Sequence, residues 1–307
     1  MKFGLTSEQE DFAQTLDKLL SAADTVSAAR SWAEGDSAPG LEVWRRLAEL
    51  GATALLVPEA DGGMGASAVE LAVAFESLGR LAVPGPWVES VAFLPSIDRV
   101  VTVAAPPHTP YALDADVADA VFLLGDDGLR EASAGDLVGS IDPTRRLFAV
   151  TPGEPAEVEP PEGAFDLAVL ATSAQLLGCG ERLLADTVEY AQQRRQFGRE
   201  IGSYQAVKHA LADVRIALDF ARPLVLGAAV LGSGPRDVSA AKVAAGDAAY
   251  LASRVALQVH GAIGYTHEYD LSLWITKVRA LVGAWGTPSF HRARVLEALS
   301  STGPGGR

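Results

Sequence analysis

The sequence has a single cysteine, Cys179, among its 307 residues. One thiol excludes an intrachain disulfide framework and a metal site built from several cysteines. Basic residues are also few, since 25 lysines and arginines stand against 39 aspartates and glutamates, for a net charge of −14. Proteins that bind nucleic acid carry clustered basic surface. The composition therefore predicts a chain without structural disulfides and without a DNA or RNA partner.

Long apolar runs are missing too. No uninterrupted run reaches membrane-spanning length, and the N-terminus turns acidic without an apolar signal core, reading MKFGLTSEQEDF. We expect a cytoplasmic protein. There is no Gly-x-Ser-x-Gly nucleophile elbow, and we expect Cys179 on an apolar helix face. Four histidines of the C-terminal third have no metal-binding spacing with a carboxylate and are predicted to be buried or interfacial; they are His209, His260, His267 and His291.

The N-terminal third, residues 1–98, is predicted to be helical. Thr6 with Gln9 forms a candidate capping box before apolar residues at helical spacing, and Ser67 with Glu70 forms another. A capping box satisfies backbone N–H groups at a helix start, so both sites predict helix N-termini.

Between these two starts, the pattern predicts one more helix and two irregular stretches. Residues 41–50 place leucine and tryptophan at helical spacing before a glycine, which predicts a helix. Residues 25–40 are small, polar and glycine-bearing and are predicted to form a loop. The glycine-rich run in VPEADGGMG lacks the lysine of a phosphate-binding loop, so we interpret it as a structural turn.

Residues 99–163 change pattern from helical to strand-like. Four short β-like runs are separated by proline, aspartate and glycine; they are Val100–Ala104, Ala120–Leu124, Gly128–Glu131 and Arg146–Val150. The tract PGEPAEVEPPEG at 152–163 is rich in proline and acid, which is typical of a linker. The pattern predicts a small β domain that ends in a linker.

Residues 164–307 return to helical spacing. We predict helices over about 166–194 and 203–231, with a kink at Pro223, and a third over about 241–259. Narrow alanine-lined stripes on these helices allow close antiparallel packing, which indicates a bundle. The fold class expected is mainly α with a small β domain.

The stretch Arg194–Gln205, reading RRQFGREIGSYQ, lies between the first two bundle helices. It brings arginines next to glycine-containing turns at a helix junction, where phosphate or pyrophosphate is commonly bound. A solvated helix end followed by a turn would have the same composition. The stretch alone leaves both interpretations open.

Motifs on both sides of the β domain resemble the acyl-CoA dehydrogenase family. The N-terminal third carries LTSEQEDF, WRRLAELG, VPEADGGMG and FESLGR, and the last third carries RRQFGREIGSYQAVKHALADV and QVHGAIGYTHEYDLSLW. The resemblance implies a helical domain over 1–98, a shortened middle β domain and linker over 99–163, and a C-terminal four-helix bundle over 164–307. The last motif is similar to a subgroup used in actinobacterial steroid and cholesterol degradation.

The same resemblance implies an FAD cofactor shared across a subunit interface, with the bundle of one chain reaching the pyrophosphate and adenosine of its neighbour's FAD. Arg194 would contact the pyrophosphate and Gln205 would hydrogen-bond the cofactor. A fixed guanidinium fork suits a diphosphate, and glycine lets backbone come near a ligand. The remaining implied contacts are Phe197, Gln258, Val259, His260, Gly261, Ala262 and Thr287.

The family's catalytic base is missing from both positions where the resemblance places it. The base is a glutamate that takes the α-proton of the acyl-CoA, commonly just before a Gly-Thr pair near the C-terminus. Here that position holds Trp285, which cannot accept a proton. The alternative position on the first bundle helix corresponds to Ala168. A relocated acid such as Asp166 or Glu268 is the remaining possibility for a base within this chain.

The middle domain also lacks the family's Thr-Glu-Pro, Gly-Ser-Asp and Trp-Ile-Thr segments, which hold the flavin ring. Both departures fit the family's α2β2 heterotetramers of steroid catabolism, in which a longer homologue carries the catalytic glutamate. We therefore expect a subunit that completes its partner's FAD site in α,β-dehydrogenation of a bulky, steroid-derived acyl-CoA and is inactive alone. Trp285 is expected to plug or border a vestigial substrate site. A self-sufficient dehydrogenase and a non-enzymatic protein that binds CoA ligands or acts as a scaffold remain alternatives.

Overall fold

The computed structural model of the chain describes residues 4–97, 99–232 and 234–301. The N-terminal part is helical, as predicted. Its helices are α1 (Ser7–Ser21), α2 (Thr25–Ala33), α3 (Ala38–Glu49) and α4 (Ala68–Arg80). Both predicted capping boxes are confirmed: the Thr6 hydroxyl accepts from the backbone N–H of Gln9, and Ser67 and Glu70 make the equivalent pair.

Helix α2 corrects the prediction of a loop over residues 25–40. The Asp24 carboxylate caps it by accepting from the Ser27 N–H at 3.3 Å. Alanines and Trp32 form its buried face, and the Trp32 indole N–H donates to the carboxylate of Asp114 at 3.0 Å. Alanine favours helix but adds little to an amphipathic pattern, so the sequence pattern does not reveal this helix. Burial against the rest of the fold stabilises it.

The glycine-rich loop after α3 is a structural turn, as interpreted. Two short 3₁₀ turns form it, Ala52–Ala54 and Glu59–Asp61. A Cβ on Gly63 would lie 2.2 Å from the carbonyl oxygen of Val57, so the loop folds tightly on itself. After α4 a buried π-helical turn, Val88–Phe93, leads towards the sheet.

The β domain is one five-stranded sheet of order β1-β3-β4-β5-β2. Strand β1 pairs parallel to β3 and the other pairings are antiparallel. The strands are β1 (Val101–Ala104), β2 (Ala112–Leu113), β3 (Ala120–Gly125), β4 (Gly128–Val138) and β5 (Leu147–Pro155). The sequence pattern misses β2 because two residues show no periodicity. It also ends β5 too early, so the linker begins after Pro155.

The C-terminal part is the predicted bundle, and α6 continues through Pro223 without a break. Helices α5 to α8 form the bundle and α9 packs along α7. Their bounds are α5 (Ala164–Gln193), α6 (Gln205–Val230), α7 (Pro235–His260), α8 (Leu271–Gly283) and α9 (Pro288–Ser301). Within the residues just described, no helix combines the length and apolar character needed to cross a membrane.

The N-terminal helices pack directly on the bundle where α4 crosses α5. A Cβ on Gly79 would lie 2.1 Å from the Gln175 carbonyl oxygen, and one on Gly178 would lie 2.0 Å from that of Glu76. Only glycine permits this backbone approach. Beside it, Arg222 of α6 bridges the carboxylates of Glu76 and Glu181 at 2.7 and 2.9 Å. The crossing fixes the N-terminal helices against the bundle.

Candidate functional site

Three helix ends meet at one end of the bundle. Helices α5, α6 and α7 follow one another along the chain and each runs antiparallel to the one before it. The end of α5, the start of α6 and the end of α7 therefore lie together. The contact between Tyr190 of α5 and His260 of α7 places them directly: their rings stack with centroids 4.1 Å apart. Sequence motifs that are about 60 residues apart, around Arg194 and around Gly261, therefore occupy one region.

The turn after α5 projects from this end as a small hairpin. Strands β6 (Arg195–Gln196) and β7 (Arg199–Glu200) pair antiparallel, and Phe197 and Gly198 between them have positive φ angles of 52° and 83°. Two successive positive φ values are typical of the two-residue turns that match strand twist. The Phe197 side chain is 93% exposed. This backbone therefore holds an aromatic ring out in solvent.

Two contacts stabilise the hairpin from behind. The Tyr204 hydroxyl donates to the Gln196 carbonyl oxygen at 3.3 Å, and the Arg199 guanidinium lies 3.9 Å from the centre of the Tyr204 ring. Arg194 ends α5 in an extended conformation and is exposed. None of the ion pairs among the described residues includes Arg194, which leaves its guanidinium fork available to an anion.

Gln205 is the first residue of α6 and is exposed at the same end of the bundle. Its side-chain oxygen contacts Nε2 of His209 at 3.0 Å, one helical turn further on. An amide donor at a helix start stands beside N–H groups that lack helical partners, which is a common environment for anions. The position fits the hydrogen-bonding role expected for Gln205.

The sequence-predicted residues 258–262 span the last turn of α7 and the start of the 3₁₀ turn Gly261–Tyr265 that follows it. Gln258 and Ala262 are exposed and Val259 is half-buried. Gly261 has φ 62° and ψ −135°, which side-chain-bearing residues rarely adopt, and a Cβ there would meet no atom within 4 Å. The space in front of this glycine can admit a ligand close to the backbone.

His260 anchors that loop from inside. Its ring is buried between the rings of Tyr190 and Tyr269, at 4.1 and 5.4 Å, and its Nδ1–H donates to the Ala256 carbonyl oxygen at 2.8 Å. Burial lowers the pKa of His260, because the charged imidazolium is disfavoured away from water. His260 is therefore neutral at pH 7 and acts through its backbone and its packing.

Thr287 lies away from the other sequence-predicted cofactor residues. Its hydroxyl accepts from the Phe290 N–H at 3.2 Å at the start of α9, and His291 of the same helix contacts Ser239 at 3.1 Å, near the start of α7. Ser239 and Gly261 stand at opposite ends of α7, roughly 30 Å apart at 1.5 Å per helical residue. One chain cannot bring Thr287 and the Arg194 hairpin to the same part of a cofactor.

Trp285 fills the region beside Thr287. The side chain is 1% exposed, and its ring lies 5.1 Å from Phe93 and 6.0 Å from Phe165 between centroids. The backbone is held in a left-handed conformation, φ 56°: its N–H donates to the Thr109 hydroxyl at 3.2 Å, and its carbonyl accepts from Nε2 of His291 at 3.0 Å. Trp285 is therefore a fixed part of a packed aromatic cluster.

The other positions considered for a base are also unsuited to it. Ala168 is fully buried within α5. The Asp166 carboxylate is paired with Arg294 at 2.8 Å. Glu268 is exposed on the loop before α8. A general base must reach the substrate in a site that excludes water, so neither acid is placed for that role.

Glu89 is a buried acid that sequence reasoning did not single out. It lies on the π-helical turn with 1% exposure, and neither carboxylate oxygen has a hydrogen-bond partner in the part of the chain described. The Trp285 indole is near enough to favour the ionised carboxylate, but burial dominates and raises the pKa of Glu89. The only signal in the sequence is a lone charge within the apolar run PWVESVAF.

Comparison with known proteins follows the same division of the chain. Residues 6–104 match the family model for the acyl-CoA dehydrogenase N-terminal domain, and residues 162–300 match the model for the C-terminal domain. The chain is 31% identical over 292 residues to the acyl-CoA dehydrogenase IpdE2 of Mycobacterium tuberculosis, covering 88% of this chain and 90% of that protein.

Solved structures share the fold. The ChsE4-ChsE5 complex from Mycobacterium tuberculosis aligns with a TM-score of 0.84 at 23% identity, covering 98% of this chain and 100% of that one. A variant of the Tcur3481-Tcur3483 steroid ACAD aligns with a TM-score of 0.82 at 21% identity, covering 96% and 98%. From the domain matches and the near full-length similarity to IpdE2, the chain belongs to the acyl-CoA dehydrogenase family.

Proposed function

We propose that this chain is the non-catalytic subunit of a heteromeric, FAD-dependent acyl-CoA dehydrogenase. It would pair with a longer homologue that carries the catalytic glutamate, in an α2β2 assembly, and would complete that partner's FAD site. The observation that carries the proposal is the contrast between the two ends of the bundle. One end is closed by buried Trp285, and the other presents Phe197 at 93% exposure close to Arg194, which is also exposed.

The residues at the open end fit the pyrophosphate half of FAD. Arg194 offers an exposed guanidinium fork, Gln205 offers an amide at a helix start, and Gly261 leaves open space next to its backbone. When bound, the flavin of FAD accepts the hydride that leaves the β-carbon of the acyl-CoA. The contribution of this chain would be to bind and orient the cofactor, while proton abstraction belongs to the partner.

An apolar stripe on α6 supports the need for a partner chain. Ile216, Phe220 and Leu224 follow one another at four-residue spacing and are 53%, 74% and 45% exposed. Residues at that spacing share a helix face. Clustered exposed apolar side chains mark interaction surfaces in soluble proteins. The stripe lies on the helix that carries Gln205, and its first member, Ile216, is about 16 Å further along that helix.

The substrate class is part of the proposal. A steroid-derived acyl-CoA is supported by the likeness to the Tcur3481-Tcur3483 steroid ACAD and by the short sheet, whose five strands leave more room than a full flavin-holding domain. The acyl-CoA would bind through the partner, because in this chain the Phe93, Phe165 and Trp285 cluster occupies the corresponding region.

Co-expression with a longer homologue tests the proposal. The chain alone, the homologue alone and the pair are purified, and bound flavin is measured by absorbance together with oxidation of a steroid acyl-CoA. We expect flavin and activity only in the pair. Arg194→Ala in the pair should lower FAD affinity. Arg292→Ala removes an exposed ion pair between α9 and Asp247 of α7 and should leave the affinity unchanged.

A chain that purifies alone with flavin and oxidises acyl-CoA would contradict the heteromeric proposal. The second candidate, a self-sufficient enzyme, would then need its own base, and Glu89 is the acid to test, because both its carboxylate oxygens lack a hydrogen-bond partner among the described residues. Glu89→Gln would abolish the activity of such an enzyme. A pair that assembles without flavin in any condition would instead indicate a scaffold protein.

A further inference from the structure

Arg30 connects the N-terminal domain to the loop that follows the proposed cofactor segment. It lies on α2, and its guanidinium donates to the carbonyl oxygens of His267 and Glu268 at 2.9 and 3.1 Å. It also contacts the Asp270 carboxylate at 2.7 Å. These acceptors are about 240 residues away in sequence, so a single side chain determines where the loop lies relative to α2.

The three acceptors flank Tyr269, and Tyr269 leads back to the cofactor segment. Its ring packs on His260 at 5.4 Å, and its backbone N–H donates to the Thr266 carbonyl oxygen at 3.3 Å. Thr266 in turn bonds Ile263 through both its N–H and its hydroxyl, at 3.1 and 2.8 Å. A continuous set of contacts therefore joins Arg30 to residues 260–263.

We propose that Arg30 is a positioning residue for the FAD-binding loop, acting through Tyr269 and His260; this rests on the proposed function. Arg30 holds two carbonyls and a carboxylate at once. A planar guanidinium spreads its donors in a fixed fork, whereas an ammonium is a compact point charge on a flexible stem. Gly261 has no side chain of its own to fix its position, so the loop depends on contacts such as these.

The Arg30–Asp270 ion pair is partly exposed, with side-chain exposures of 35% and 57%. Exposed pairs contribute little to the free energy of unfolding. A purely structural role would therefore show as a small change in melting temperature and nothing else. A positioning role would show in cofactor affinity and in the local dynamics of the loop.

The test uses the assembled complex with its partner. FAD is removed and titrated back, the Kd is measured by flavin fluorescence, and hydrogen exchange is followed for peptides covering residues 261–270. Arg30→Ala should speed exchange in these peptides and weaken FAD binding about fivefold or more, the lower range of coupling between two sites. Arg30→Lys should give an intermediate loss, since lysine keeps the charge but lacks the fixed planar fork of donors.

Arg46→Ala is the matched control. It also removes an arginine that pairs with a carboxylate, here Glu42 on the same helix, and no hydrogen bond or ion pair among the described residues joins Arg46 to the bundle. It should leave both FAD affinity and loop exchange unchanged. If Arg30→Ala prevents folding or assembly, Asp270→Asn removes the charge while keeping an acceptor oxygen, and it should weaken FAD binding to a smaller extent.

The outcomes separate the two proposals. If Arg194→Ala and Arg30→Ala each reduce FAD affinity, the proposed function and the positioning role of Arg30 are both supported. Reduced affinity in Arg194→Ala with an unchanged Kd in Arg30→Ala and Asp270→Asn overturns the role of Arg30 and leaves the proposed function intact. An unchanged Kd in Arg194→Ala overturns the proposed function itself, whatever Arg30 does. Faster loop exchange without any change in Kd also counts against the positioning role.

Discussion

Replacing Asp114 with asparagine should stabilise the protein at neutral pH and leave it nearly unchanged in acid. Asp114 is fully buried. Its Oδ1 accepts from the Trp32 indole at 3.0 Å and from the Arg146 N–H at 3.1 Å, while Oδ2 has no hydrogen-bond partner within the described residues. Asparagine can keep both hydrogen bonds through its oxygen and tolerates the positive φ of 52° at this position.

The magnitude follows from the pKa of Asp114. Burial raises it from 3.8 to about 7, against the opposing effects of the Trp32 and Arg146 hydrogen bonds. Below pH 4 the carboxyl is protonated in both folded and unfolded chains. Between pH 4 and 7 only the unfolded chain ionises, so the wild type loses about 1.4 kcal/mol per pH unit and up to about 4 kcal/mol in total.

The assay is urea unfolding of wild type and Asp114→Asn from pH 4 to pH 8. The difference in free energy of unfolding should grow in favour of the variant up to pH 7 and then level off. Asp24→Asn is the matched control: it also has a positive φ, 45°, and its carboxylate accepts from a backbone N–H, but it is exposed. A difference for Asp114→Asn that stays constant across the pH range would refute the reasoning.

Three further predictions concern packing and burial. Gly178→Ala should destabilise the α4–α5 crossing by about 2 kcal/mol through overpacking, while Gly283→Ala, where a Cβ meets nothing within 4 Å, should not. Lys242 is buried and burial lowers its pKa to about 7, so the stability gained by Lys242→Met should be at its full value below pH 7 and shrink from pH 7 to pH 10.5. Trp285→Ala should cost about 3–5 kcal/mol, yet leave the FAD affinity of the assembled complex intact. Urea unfolding and flavin titration check these; a gain for Lys242→Met that is independent of pH, or flavin loss in Trp285→Ala, would contradict them.

Local chemistry in the sequence predicts much of the fold. Thr6 and Ser67 mark helix starts because capping depends on residues three positions apart. Helix α2 was missed although Asp24 offers a cap, because its buried face consists largely of alanine and only tertiary contacts show that Trp32 is in the core. Strand β2 was missed because its two residues acquire a pattern only through pairing with β5.

The candidate site was predictable as a set of residues but not as an arrangement. Motif resemblance names Arg194, Gly261 and Thr287 together, but only the three-dimensional path of α7 shows that Thr287 lies at the other end of the bundle. The burial of Glu89 against Trp285 joins residues about 200 positions apart, which no local pattern reveals. Arg30 was unpredictable for the same reason, since its acceptors are mainly backbone carbonyls.

The length of α7 has a consequence for how such a chain can change over time. Side chains at its first turns, such as Ser239, support the Trp285 cluster, and those at its last turn support the His260 loop. Substitutions separated by more than about 10 Å without shared partners usually have additive effects. A lineage could therefore accumulate losses at one end of this helix without disturbing the other. The rigid spacing between the two ends of α7 would allow the residues at one end to change while those at the other end remained under selection.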